Sequence, residues 1–179
     1  MMENQPIIDK HVFLKCFLKD FYIEKINKKI LEKIKGKTIH DNIIFRVNYN
    51  FDVIKNVIAT LLIKEFRNNV NYNYYSMGLY KLVELSFNNH NEETQNELEK
   101  IKKCSTLIVY EFNDMDHSLY KSLYYPLVAE RLMKGKNNIF LLCNKQPTDI
   151  LDKSMLDEYF EEISLKSIST RKSSIDQIF

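Results

Sequence analysis

Along residues 11–35 apolar side chains recur at helical spacing (Val12, Phe13, Phe17, Phe21, Ile26, Ile30, Leu31, Ile34) among lysines, and Gly36 stops the pattern. One or two amphipathic helices are predicted there. Residues 43–47 form a short apolar run of strand type. Residues 52–66 return to a helical period, with Ile54, Val57, Ile58, Leu61 and Leu62 on the face to be buried. A tyrosine-rich strand is expected over 70–77, then helices over 78–87 and 92–103 divided by the polar turn NNHN. Residues 105–112, STLIVYEF, are almost continuously apolar, as suits a strand buried on both faces. A helix over 116–133, capped by Asp116, ends at Gly135, and residues 138–143 give the next buried strand. A helix over 154–162, a short strand over 163–168 and a polar tail complete the chain. Strands alternating with helices imply right-handed crossovers and a parallel sheet, hence an α/β fold.

Only three glycines and three prolines punctuate the 179 residues, and neither a repeat nor a low-complexity linker interrupts them. The length suits one compact domain. Three segments are expected: an N-terminal helical segment (1–36), the α/β domain (37–168) and a polar tail (169–179). The longest apolar runs fall short of a membrane span, and the acid-bearing start MMENQPIIDK lacks the layout of a secretory signal, so a cytoplasmic protein is expected. Cys16, Cys104 and Cys143 are far apart and lack a C-x-x-C partner, and His11, His40, His90 and His117 are as scattered; they predict reduced thiols and no metal site. A net charge of +2 is too small to announce a nucleic-acid binder.

Three segments carry candidate chemistry. The first is IIFRVNYNFDVIKNVIAT, residues 43–60, which has the strand–loop–helix layout of a phosphate loop without its glycines. In G-x-x-x-x-G-K-[ST] the glycines let backbone N–H groups approach phosphates, the lysine neutralises them and the hydroxyl binds magnesium. Here Tyr49 and Ile54 hold the glycine places, Lys55 the lysine place and Asn56 that of the hydroxyl, while Asp52 brings negative charge. Taken alone, the stretch is an ordinary strand-to-helix turn. The second is LIVYEFNDMD, residues 107–116, where an apolar strand ends in Tyr110-Glu111. A strand-end Asp-Glu pair would hold magnesium and orient water; only the glutamate is present, and a strand-end carboxylate with a structural hydrogen bond is the favoured account of it. The third is NNIFLLCNKQPTDI, residues 137–150, whose strand delivers Asn144 to the carboxyl end of the sheet, there to orient a water or to cap the turn before Pro147.

In this order, the segments resemble the AAA+ ATPase domain of DnaC/DnaI-type replicative helicase loaders and the related IstB ATPases. The Walker A region corresponds to IIFRVNYNFDVIKNVIATLLIKEF, the Walker B strand to STLIVYEF, the arginine-ending helix to YPLVAERLMKGKN and the sensor strand to IFLLCNKQP, over roughly residues 20–168. The resemblance implies a three-layer, P-loop NTPase-like fold with a central parallel sheet of about five strands. It matches Lys55 to the Walker A lysine, Glu111 to the Walker B glutamate and Asn144 to the sensor asparagine. Against the family pattern, the Walker A glycines are missing, Asn56 replaces Ser/Thr, Tyr110 replaces the Walker B aspartate, and DEYFEEISLKS has no arginine finger; Arg171 lies beyond it.

Phosphoryl transfer needs phosphate cradling, metal and arginine together. The expectation is therefore a pseudo-ATPase with vestigial Lys55, Asn56, Glu111 and Asn144, without bound ATP or magnesium. It would act in DNA replication through contact with a replicative helicase, a helicase loader or another AAA+ initiator. An unorthodox ATPase using Lys55, Glu111 and Asn144 is the enzymatic alternative. A DNA-binding module built on Lys25, Lys28, Lys29, Lys33, Lys35 and Lys37 is another, although these interleave with apolar positions as on a solvated helix face. A non-hydrolysing clamp-loader-type subunit is the remaining one.

Overall fold

In a computed structural model, residues 28–48, 51–66, 69, 71–111 and 118–168 are described. In chain order the elements are α1 (Lys28–Lys33), β1 (Ile43–Arg46), α2 (Phe51–Phe66), β2 (Tyr74–Gly78), α3 (Lys81–Phe87), α4 (Glu92–Lys103), β3 (Thr106–Tyr110), α5 (Tyr120–Met133), β4 (Asn137–Leu142), a 3-10 turn (Pro147–Asp149), α6 (Lys153–Tyr159) and β5 (Glu161–Ser164). The strands form one parallel sheet in the order β2-β3-β4-β1-β5.

This order dictates the layers. From β1 the chain crosses to the far edge at β2, whereas β2→β3, β3→β4 and β4→β5 all step the other way. Right-handed crossovers then put α2 on one face and α3 to α6 on the other. Burial follows the pleat. Ile43, Phe45, Ile108, Ile139 and Leu141 pack with Ile30 and Ile34 of the first helix and with Val53, Val57 and Leu61 of α2. Their strand neighbours Ile44, Leu107, Val109, Phe140 and Leu142 pack on the opposite side with Leu82, Ile101, Tyr124, Val128 and Met155. With both faces covered, the inner strands are nearly continuous apolar runs.

Local chemistry sets the helix ends. Asn91 caps α4, its side chain accepting the Glu93 N–H at 2.9 Å, and Glu92 and Glu93 at the start and Lys100, Lys102 and Lys103 at the end complement the helix dipole. Gly135, at φ +66°, lets the Lys136 N–H turn back to the Arg131 carbonyl (2.9 Å) and closes α5. Gly36, at φ +81°, does the same service after α1.

Several predicted boundaries move. Gly78 opens no helix: it ends β2, paired with Tyr110, and α3 starts at Lys81. The helix predicted from Asp116 begins at Tyr120 with Leu119 at its N-cap; Asp116 lies outside the described residues, as do Cys16, His11, His117, Lys25, Tyr49, Arg171 and the tail. The last strand spans Glu161–Ser164, two residues ahead of its expected start, because pairing with β1 sets it and its polar side chains carry no apolar signal. The helix expected over 154–162 correspondingly stops at Tyr159. Among the described residues, no helix is long and apolar enough to cross a membrane.

Candidate functional site

Ligands in open parallel sheets collect at the carboxyl ends of the strands, where adjacent strands send their connections in opposite directions. In this sheet that point lies between β1 and β4, one leading to β2 and the other to β5. Glu111, Asn144 and the end of β1 all lie on this upper edge.

Glu111 is 1% exposed. The ladder places it: its N–H donates to the Leu141 carbonyl (2.9 Å), which continues β3 by one residue and turns the side chain under the loop that leaves β4. Both carboxylate oxygens accept backbone N–H groups of that loop. Oε2 takes Cys143 at 2.7 Å, Asn144 at 3.0 Å and Lys145 at 3.1 Å; Oε1 takes Asn144 at 3.2 Å and Lys145 at 3.4 Å. Three consecutive amides converging on one anion form a backbone nest. The carboxylate thus ties the end of β4 to the end of β3. Asn144 meets Glu111 through its backbone N–H, and its side chain is exposed. The turn beyond is closed by Asp149, whose Oδ2 accepts the Gln146 N–H at 2.9 Å.

Lys55 and Asn56 ride on α2. This helix starts at Phe51, so Lys55 is already in its second turn, and residues 47–50 alone connect it to β1. Ile54 and Asn56 are 2% and 6% exposed, Lys55 is half-buried, and the Thr60 hydroxyl donates back to the Asn56 carbonyl at 2.7 Å. Arg46, which closes β1, was not singled out by sequence reasoning. It is buried, donates from Nη1 to the Lys145 carbonyl (2.5 Å), and lies 3.7 Å from Glu162 Oε1. It holds the same loop from the opposite side. A lone charge ending the apolar run IIFR was its sequence signal.

The opposite edge has its own buried ion. Arg131 is 1% exposed and sits where α5 faces the start of β3 and β4. It donates to the carbonyls of Ile101 (2.7 Å), Cys104 (3.0 Å) and Asn137 (2.8 Å) and to Asn138 Oδ1 (2.7 Å). The guanidinium fork satisfies carbonyls that the end of α4 leaves open. Burial draws this guanidinium below its ordinary pKa, and burial likewise pushes the Cys104 thiol up despite Arg131 beside it at 3.3 Å. Cys104 and Cys143 are both buried thiols. Nearby, Tyr72 OH lies 2.6 Å from Thr106 Oγ1, which itself donates to the Ile39 carbonyl at 2.8 Å. His40 Nε2 lies 2.8 Å from Glu65 Oε2.

No protein-family model matches the chain, and none of the curated proteins does. Solved structures do. A replication initiator DnaA bound to AMPPCP and single-stranded DNA aligns over 89% of this chain and 57% of its own, with a TM-score of 0.51 and 13% identity. A DNA replication initiation factor (83% and 49%, TM-score 0.49, 10% identity) and AMPPCP-bound DnaA from Aquifex aeolicus (83% and 50%, TM-score 0.48, 12% identity) also align. The chain spans about half the length of the structures it matches. At these identities the likeness is one of fold, and with its five-stranded parallel sheet between two helical layers this chain has the three-layer, P-loop NTPase-like fold of the AAA+ class.

Proposed function

We propose that this chain is a catalytically inactive, AAA+-like protein of the cytoplasm that acts in DNA replication. It works by contact with a replicative helicase, a helicase loader or an initiator, and takes neither ATP nor magnesium as a cofactor. The observation that carries the reading is Glu111. A base for water attack must present a lone pair to solvent, and this carboxylate is 1% exposed with both oxygens engaged by the amides of residues 143–145. The neighbouring geometry supports it. A phosphate loop presents backbone N–H groups of a glycine-rich loop and of the first helical turn, whereas here Lys55 and Asn56 already lie in the second turn of α2. The fold shared with a replication initiator supports the choice of process, and the KGKNN turn after α5 resembles the helicase-loader branch.

Isothermal titration with Mg-ATP tests the reading. No binding heat is expected up to millimolar nucleotide. Micromolar affinity, with turnover that Lys55→Ala abolishes, would overturn it in favour of the unorthodox ATPase. Co-purification with a tagged replicative helicase or its loader tests the partner. Failure to retain either of them, or an AAA+ initiator, would remove the replication part of the reading while leaving the loss of catalysis intact.

A further inference from the structure

The lower edge of the sheet, remote from the nucleotide-type site, gathers cations from two helix ends. Lys100, Lys102 and Lys103 end α4, and Lys134 and Lys136 follow each other across the turn that closes α5. The two groups are one patch, because Lys136 Nζ donates to the carbonyls of Lys103 and Cys104. Among the described residues, Glu99 pairs with Lys103 (2.9 Å) and Glu130 with Lys134 (2.5 Å), and Glu97 lines a cleft with Lys100. In a protein with a net charge of +2, that is a concentration of positive charge.

Lysines at helix carboxyl ends ordinarily serve the dipole and the open carbonyls. Here that work is already done. Arg131 takes the carbonyls of Ile101 and Cys104, and Lys136 those of Lys103 and Cys104. Lys100 and Lys102 are exposed on top of a satisfied helix end, as are Lys103 and Lys134 beside their glutamates. Burial, together with Arg131 and Lys134 nearby, holds the Lys136 ammonium below its usual pKa, as expected where cations crowd. Beside Lys100 and Lys103 a cleft of about 330 Å³ opens, with Asn73, Tyr74, Tyr75, Asn96 and the Lys103-paired Glu99 on its walls. Lys100 and Lys103 lie one turn apart, and with Lys102, Lys134 and Lys136 they gather ammonium groups from two helix ends beside amide and phenol groups, which suits a chain of phosphates carrying sugars and bases.

We propose that the rim formed by Lys100, Lys102, Lys103, Lys134 and Lys136 binds the phosphate backbone of a nucleic acid. The site is distinct from the lysine row of α1, whose Lys28, Lys29 and Lys33 are exposed while Ile30 and Ile34 face the core. It shares no residue with the upper edge, so it stands or falls apart from the pseudo-ATPase reading.

The test is fluorescence anisotropy of labelled 20-nucleotide single-stranded and duplex DNA with the full chain. With about four phosphates neutralised, affinity is expected to fall roughly 50- to 150-fold between 50 and 200 mM salt. The variant Lys102→Gln/Lys103→Gln/Lys134→Gln is expected to weaken binding at least tenfold at 50 mM and to reduce the log–log salt slope by about 2. The control Lys28→Gln/Lys29→Gln/Lys33→Gln should bind within twofold of the unaltered chain, and circular dichroism melts verify that both variants fold. Preference for one DNA form identifies the source of the phosphates. Absence of salt-sensitive binding to either form, an equal loss in the α1 control, or binding of polyglutamate as tightly as DNA would each overturn the proposal.

Discussion

The two edges of the sheet are held by the same device with its charge reversed. At the lower edge Arg131, a buried cation, gathers carbonyls from the end of α4 and the start of β4. At the upper edge Glu111, a buried anion, gathers three N–H groups from the loop leaving β4. Neither ion is neutralised mainly by an opposite charge; each is solvated by backbone dipoles, which lowers the cost of burying it. Arg131 reaches four backbone or side-chain oxygens within 3.0 Å on two elements, α4 with its C-cap and β4, whereas Glu111 serves one short loop. The first is therefore a clamp of the whole fold and the second a local latch.

Arg131→Met should break the comparison most severely. It keeps the length of the side chain and strands the carbonyls of Ile101, Cys104 and Asn137, at a cost of about 3–5 kcal/mol in urea unfolding. For a chain of this size that lowers the melting temperature by roughly 10 °C. A loss under about 1 kcal/mol would show that the clamp is dispensable. Glu111→Gln should cost less, about 2 kcal/mol, because one amide oxygen remains as acceptor while the new NH₂ faces the N–H donors of residues 143–145. An unchanged unfolding midpoint would mean that the latch contributes nothing.

A pH experiment separates the edges further. Tyr74, which pairs with Thr106 at the lower end of β2, has its phenol pushed up to about 12 by burial, against about 10 when unfolded. The unfolded chain therefore loses this proton first. Stability is fully present below pH 10 and declines as the pH rises from 10 towards 12. Tyr74→Phe should make that alkaline decline shallower in melts at pH 9, 10 and 11, and an identical slope would contradict the assignment. The smallest effect is expected at the exposed i,i+4 pair Glu130–Lys134: Lys134→Ala should leave the melting temperature within experimental scatter. A large drop there would mean that the rim lysines hold the fold rather than extend from it.

The sequence displayed what repeats and concealed what is placed by pairing. Apolar runs marked β1, β3 and β4 because both of their faces are covered, and the polar turn NNHN, whose last residue is the Asn91 cap, marked the start of α4. β5 was misplaced since Glu161 and Glu162 are exposed on an edge strand, where hydrogen bonding to β1 rather than hydrophobicity sets the element. Nor does any local pattern tell that β4 inserts between β1 and β3. Glu111 and Asn144 were legible as strand-end polar residues, but the nest that joins them depends on the loop's backbone. Arg131 had a visible signal: Tyr124, Leu127, Val128 and Arg131 fall at i, i+3, i+4 and i+7, which places the arginine on the buried stripe of α5.

The latch at Glu111 also bears on how the upper edge responds to its surroundings. An anion joined to the same chain competes at an effective concentration of roughly millimolar or above, and it never dissociates into solution. A free phosphate or carboxylate arriving at the amides of residues 143–145 must first displace it. The occupancy of those amides is thus written into the polypeptide, and it stays constant whatever the surrounding metabolite pool does.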